Sequence, residues 1–159
     1  MAVARVTLVT LALTLFVAQS PAARGNAVTV RLVVTGATLP QPLTVTDAQI
    51  LDRSNVYAGA FLGPLVDAVE TAWPQFVVTF IVEPRTPFPA PAPTGVQKTY
   101  LVRYARNPDT DEGFVYLPGR GEAGYRGNIG IMIRETGDGR WHRAGPEWAE
   151  LLNGYLPRG

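Results

Sequence analysis

The 159-residue chain has no cysteine, one histidine (His142), one lysine (Lys98) and two serines, Ser20 and Ser54. Without cysteine there is no disulfide framework, thiolate metal site, cysteine nucleophile or lipidated cysteine. A single histidine excludes any site built from two or more histidine ligands. Excess charge is missing as well. The 14 basic and 13 acidic residues nearly cancel, so the basic surplus of a typical nucleic-acid binder is absent. Charged residues are only 17% and hydrophobic ones 47%, the balance of a globular chain rather than a disordered one. The length suits one domain, for which ~100–200 residues is usual.

Residues 1–22 read as a secretory signal peptide. Arg5 supplies the positive start, and residues 6–18 are apolar apart from Thr7, Thr10 and Thr14. Ser20, Pro21 and Ala22 then place small residues where cleavage after Ala22 needs them. The apolar run is shorter than the ~20 residues that span a bilayer, so an uncleaved membrane anchor is the rival reading. A buried N-terminal helix is the third. No later stretch is long and apolar enough to span. The domain expected after cleavage is residues 23–159. Loss of Arg5 leaves it without net charge, so long-range steering of charged partners is not its main device.

Residues 27–35 alternate, with Val28, Val30, Leu32 and Val34 on one face, as a half-buried strand does. Residues 43–45 predict a short second strand. Thr46 to Gln49 match a capping box, with Thr46 as N-cap of a short helix. Pro64 and the spacing of Leu65, Val69, Ala72 and Trp73 predict a helix over 64–73. Residues 76–83 are apolar on both faces, which suits a central strand covered on both sides. Residues 84–93 hold five prolines and read as an extended loop, a stiff connector before anything else. Residues 98–106 alternate again, 107–113 carry turn chemistry, and 114–117 complete a hairpin. Ile129, Ile131 and Ile133 suggest a further strand, Gly137 to Gly139 a tight turn, and residues 140–143 a returning strand. Trp148, Leu151, Leu152 and Tyr155 at i, i+3, i+4, i+7 mark a C-terminal amphipathic helix after Pro146. The expected fold is α+β: an antiparallel or mixed sheet of five or six strands with two or three short helices.

No motif reaches catalytic quality. Gly119 to Gly124 spell GxGxxG, but the following glycines and alternating isoleucines argue no helix to receive a pyrophosphate. Asn107 to Gly113 resembles the start of a calcium loop. It lacks the glycine and the carboxylate the pattern needs at its sixth and twelfth positions, which hold Glu112 and Pro118. A looser metal site from Asp109, Asp111 and Glu112 stays as a weak alternative to no metal. Ser54, the only serine after the signal, lacks the glycine-flanked turn of a hydrolase nucleophile, and nothing brings His142 to it. Glu83, Glu112, Glu122 and Glu135 are candidates for a glycosidase-like carboxylate pair, a signal with little specificity.

The densest unusual stretch is 116–143. Tyr116, Arg120, Glu122, Tyr125, Arg126, Trp141, His142 and Arg143 stand there among glycines, with Asn128 and Arg134. Rings, guanidinium and amide groups on such loops make a workable surface for a glycan, a peptide or an anion. The competing reading has Tyr125 and Trp141 as core anchors and the arginines solvated.

Tyr116-Leu117-Pro118-Gly119, then Gly121-Glu122, Tyr125, Asn128, and Asp138 to Ala144 with Pro146 and Trp148, resemble uncharacterised exported proteins of high-GC bacteria. Residues 42–47 are similar to them too. The near-exclusive use of arginine over lysine, with abundant Ala, Gly and Pro, fits such a coding bias. The resemblance implies a secreted or envelope-facing single domain and no particular activity. The expectation is an exported, non-enzymatic binding domain for a protein or glycan partner, without cofactor or nucleic acid, and touching a membrane only through an uncleaved signal anchor. The alternatives are a small hydrolase of envelope glycans and a structural or inhibitor-like domain.

Overall fold

The computed structural model describes residues 27–36, 38–84, 97–129, 132 and 137–157. The signal segment, the proline-rich loop after Pro84, and Ile131, Ile133, Arg134 and Glu135 lie outside the described residues. Seven strands form one antiparallel sheet: β1 (Ala27–Gly36), β2 (Leu43–Val45), β3 (Leu62–Val66), β4 (Gln75–Pro84), β5 (Lys98–Arg106), β6 (Gly113–Leu117) and β7 (Arg140–Ala144). Their order is β2-β1-β4-β5-β6-β7-β3. The helices are α1 (Ala48–Arg53), α2 (Tyr125–Asn128) and α3 (Pro146–Asn153). The architecture is α+β as expected, and the seven strands among the described residues exceed the five or six expected.

Alternation decides which side becomes the core, because successive side chains of a strand point to opposite faces. Leu32 and Val34 of β1, Val78 and Phe80 of β4, Tyr100, Val102 and Tyr104 of β5, and Val115 and Leu117 of β6 all point inward and are buried. α1 and α3 cover them through Ile50, Trp148, Ala149 and Leu152, with Val56 and Phe61 from the connecting loop. Trp148 is the centre, with ring centroids 5.8 Å from Phe61, 6.2 Å from Phe80 and 5.6 Å from Tyr104. The strand at 76–83 is only partly covered on its second face: Ile81 is buried there, while Val77 and Thr79 are half-buried.

Several local expectations are corrected. Residues 64–73 are not a helix. Leu62–Val66 is the strand β3 at the sheet edge, pairing Leu62 with Ala144, Leu65 with His142 and Val66 with Trp141. Proline belongs on such an edge, where its missing amide leaves no ladder bond unmade, and the register shifts between Leu62 and Leu65 around it. Pairing with β7 overrides the helical spacing, and it leaves Leu65 40% exposed. The N-cap of α1 is Asp47 rather than Thr46: the Gln49 amide donates to Asp47 Oδ1 at 2.7 Å. α2 forms inside the glycine-rich stretch where no helix was expected. Tyr155 falls past the end of α3 and is exposed, so it does not extend the buried stripe.

Two buried phenols make alkaline pH a probe of this core. Burial, reinforced by the hydroxyl of Tyr57, pushes Tyr100 up to about 12. Burial drives Tyr104 still further above the ordinary phenol range, against the opposing pull of Arg106 and a hydrogen bond to Asn153. A raised folded-state value favours the neutral phenol. Its contribution to stability is complete below the unfolded value of ~10 and is lost as pH rises through the folded values. Phenolate absorbance should therefore show Tyr100 and Tyr104 ionising only above pH ~10, together with unfolding, after the more exposed tyrosines. Ionisation of all tyrosines in one step near the ordinary value would contradict the burial.

Candidate functional site

The other sheet face is not covered by α1 or α3. Register builds a single row across it: Thr35 of β1, Val77 of β4, Arg103 of β5, Tyr116 of β6, Trp141 of β7 and Val66 of β3 stand opposite one another in turn. Tyr116 and Trp141 are a direct cross-strand pair with centroids 5.2 Å apart. The Arg103 guanidinium lies 3.9 Å over the Tyr116 ring and 5.9 Å from that of Trp141. Its side chain is 41% exposed, and both rings are half-buried.

The chain from 118 to 128 brings a carboxylate to this row. β6 pairs with β5 only as far as Tyr116 opposite Arg103, so the β5 backbone beyond Arg103 needs another partner. The Asn128 side chain supplies it: the Leu101 amide donates to Asn128 Oδ1 at 3.0 Å, and Asn128 Nδ2 donates to the Leu101 carbonyl. Asn128 is fully buried, pinning α2 to β5. Gly124 must be glycine here, since its φ is 85° and a Cβ would sit 2.9 Å from that of Leu101. Glu122 is thereby held beside the rings. Its Oε2 accepts the Gly119 amide at 2.7 Å, its Oε1 accepts the Tyr116 hydroxyl at 3.2 Å, and Arg103 Nη2 is 3.9 Å from Oε1. Desolvation first, then the Glu122 hydrogen bond, raises the Tyr116 phenol above its ordinary value, so the hydroxyl stays a donor at neutral pH.

Of the residues singled out from sequence, Tyr116, Glu122 and Trp141 come together. Arg120 and Arg126 are exposed and line a shallow hollow of about 460 Å³ with Tyr125, which itself leans on the core. His142 points to the opposite sheet face from Trp141. Its Nδ1 is 3.1 Å from the Gly63 carbonyl, and its buried Nε2 has no hydrogen-bond partner among the described residues. Arg143 donates to Glu112 at 2.8 Å and lines a different cavity. His142 and Arg143 thus separate from the ring pair. Asn128 serves the backbone rather than the surface. Arg103 was missed. Its signal was available, because the hairpin turn at 107–113 sets the register that puts it opposite Tyr116.

A concavity of about 630 Å³ lies between the β5–β6 turn and α3. Arg106, Asp111, Asn153, Glu112 and Arg143 in its lining are already engaged with one another or with the backbone. Arg106 donates through Nε to Asp111 at 2.8 Å and through Nη1 to the Pro157 carbonyl at 3.2 Å. Asn153 donates to the Asp111 carbonyl at 2.7 Å and accepts the Tyr104 hydroxyl at 2.7 Å. These bonds hold Asp111 at φ 61°, a left-handed conformation that aspartate tolerates better than most residues. Asp111 and Glu112 each hold a guanidinium. Among the described residues no group of three or more His, Asp or Glu side chains is placed to hold a metal ion. The weak alternative of Asp109, Asp111 and Glu112 therefore finds no support.

The other sequence candidates resolve similarly. The Ser54 hydroxyl is buried, donating to the Ile50 carbonyl at 2.7 Å and accepting the Trp148 indole N–H at 2.8 Å, so it has no bond to His142. In the GxGxxG stretch the Gly119 amide is taken by Glu122, and α2 has only four residues. Glu83 accepts from Gln97 at 2.9 Å, and Glu112 and Glu122 are bonded as described.

The fold and the site together define an α+β domain with an antiparallel seven-stranded sheet. One sheet face is packed by helices, and the other carries an arginine, two rings and a carboxylate. Comparison with family models, with curated proteins and with solved structures returned no match.

Proposed function

We propose that this chain is an extracytoplasmic binding domain that holds its partner on the Arg103–Tyr116–Trp141 row. The signal-like first 22 residues and the resemblance to exported proteins of high-GC bacteria support the location. The observation that carries the binding reading is the cross-strand ring pair with a guanidinium stacked over it, accessible on the face that α1 and α3 leave open. Rings capped by a cation and flanked by a carboxylate offer apolar area, donors and acceptors within one small patch. A core anchor would instead be sealed, as Trp148 is at 1% exposure. Of the four acids considered for the hydrolase alternative, Glu83, Glu112 and Glu122 are each bonded to an amide, a hydroxyl or a guanidinium, and Glu135 lies outside the described residues.

Tryptophan fluorescence tests the reading, with peptidoglycan fragments, neutral glycans, and proline-rich and basic peptides as titrants. Saturable change in the wild-type protein that Trp141→Phe abolishes is the expected result. Saturation unaffected by that substitution would move the site away from the row.

A further inference from the structure

We infer that the row takes a neutral glycan built of pyranose rings, lying across the strands with an apolar ring face on Trp141 and its hydroxyls beside the Arg103–Tyr116 stack. This rests on the binding-domain reading and goes beyond it by naming the ligand class. Three observations favour a sugar.

The first is charge. Among the described residues Arg103 and Glu122 are the charged groups shown in contact with the ring pair, and their charges are opposite. An anionic ligand seated there meets the carboxylate, and a cationic one meets the guanidinium. A polyol meets neither penalty.

The second is hydrogen-bond type. Arg103 only donates and Glu122 only accepts, while each sugar hydroxyl does both. A pair of adjacent hydroxyls can therefore bridge the two planar groups. Internal bonds leave part of that capacity available: the Gly119 amide takes Glu122 Oε2 at 2.7 Å, but the Arg103–Glu122 contact is long at 3.9 Å and the Tyr116–Glu122 bond is 3.2 Å.

The third is shape. Arg103, Tyr116 and Trp141 come from three adjacent strands in strict register. With strands ~4.8 Å apart, the row extends ~10 Å in a line perpendicular to them. A flat linear ligand fits such a row. A peptide adding to the sheet would use an edge strand instead.

Calorimetric titration of the protein with cello- and chito-oligosaccharides tests this, beside a polygalacturonate oligomer and a basic peptide. Saturable binding of a neutral oligosaccharide is expected. Trp141→Ala should weaken it about tenfold or more, as loss of a central aromatic contact does. Arg103→Lys should weaken it too, because lysine keeps the charge but loses the planar fork. Glu122→Gln, which keeps the side-chain shape, tests the acceptor, and Glu150→Ala in the larger cavity should leave binding unchanged. Unfolding midpoints of the variants separate lost binding from lost fold. Binding of the peptide or the polygalacturonate with the same dependence on Trp141, and no neutral sugar bound, overturns the glycan inference and leaves the binding-domain reading standing. No probe responding to Trp141→Ala overturns both.

Discussion

Replacing Trp148 by alanine is expected to lower the unfolding free energy by about 3–5 kcal/mol, the range for deleting a fully buried aromatic side chain. The indole joins the helical layer to the sheet. It packs on Phe61 and Phe80 and meets Tyr104 edge-on. Its N–H is satisfied by Ser54, whose carbonyl in turn accepts the Thr29 hydroxyl at 2.6 Å. One side chain therefore ties α3 to the end of α1 and, through Ser54, to β1. Trp148→Phe should cost less, because most of the volume remains and only the hydrogen bond and one ring are lost. Ser54→Ala should cost about 1–2 kcal/mol, since it leaves the indole N–H buried without an acceptor. Urea unfolding checks all three. An unchanged midpoint for Trp148→Ala would mean that α3 is not part of the cooperative core.

Asn128→Ala is expected to cost about 2–3 kcal/mol, a large effect for removing a small polar side chain. The asparagine amide stands in for a missing strand, meeting both the N–H and the C=O of Leu101. Alanine leaves both backbone groups without that partner. Aspartate at 128 separates the two bonds, because an ionised carboxylate accepts the amide but repels the carbonyl. Protonation restores a donor, so Asn128→Asp should gain stability as pH falls below the carboxyl's folded-state value, which burial and the facing carbonyl raise. Hydrogen exchange at the Leu101 amide reads the effect directly, with protection lost in the alanine variant and kept in the wild type. The same substitution frees the segment that carries Glu122, so binding on the row should weaken even where the fold survives. Undiminished protection at Leu101 would show that Asn128 does not hold that edge.

The hairpin was legible in the sequence because both of its signals are local. Tyr100, Val102 and Tyr104 alternate with solvent-side residues, and Asn107 Oδ1 accepts the Asp109 amide at 2.9 Å, the bond that asparagine favours in turns. The C-terminal helix was legible for the same reason. Residues 64–73 were not. Their helical spacing was real, but pairing of β3 with β7 spans almost eighty residues and leaves no local trace. The site divides in the same way. Tyr116, Glu122 and Trp141 stood out as composition in a glycine-rich stretch. Arg103 joins them only through hairpin register; His142 leaves them because it faces the other side of the sheet, and Arg143, further along β7, is held by Glu112 at the edge of a different cavity. The dual bond of Asn128 to Leu101 and the cavity beside α3 depend on contacts distant in sequence, which periodicity does not encode.

Chemical-shift mapping of the wild-type protein during titration with a chito-oligosaccharide tests the central claim most directly. Shifts gathered on the Trp141 indole, the Arg103 guanidinium and the Gly119 and Glu122 amides are the predicted result. Shifts gathered instead around Arg106, Asp111 and Asn153 would place binding in the cavity beside α3 and contradict the assignment of the site to the open sheet face.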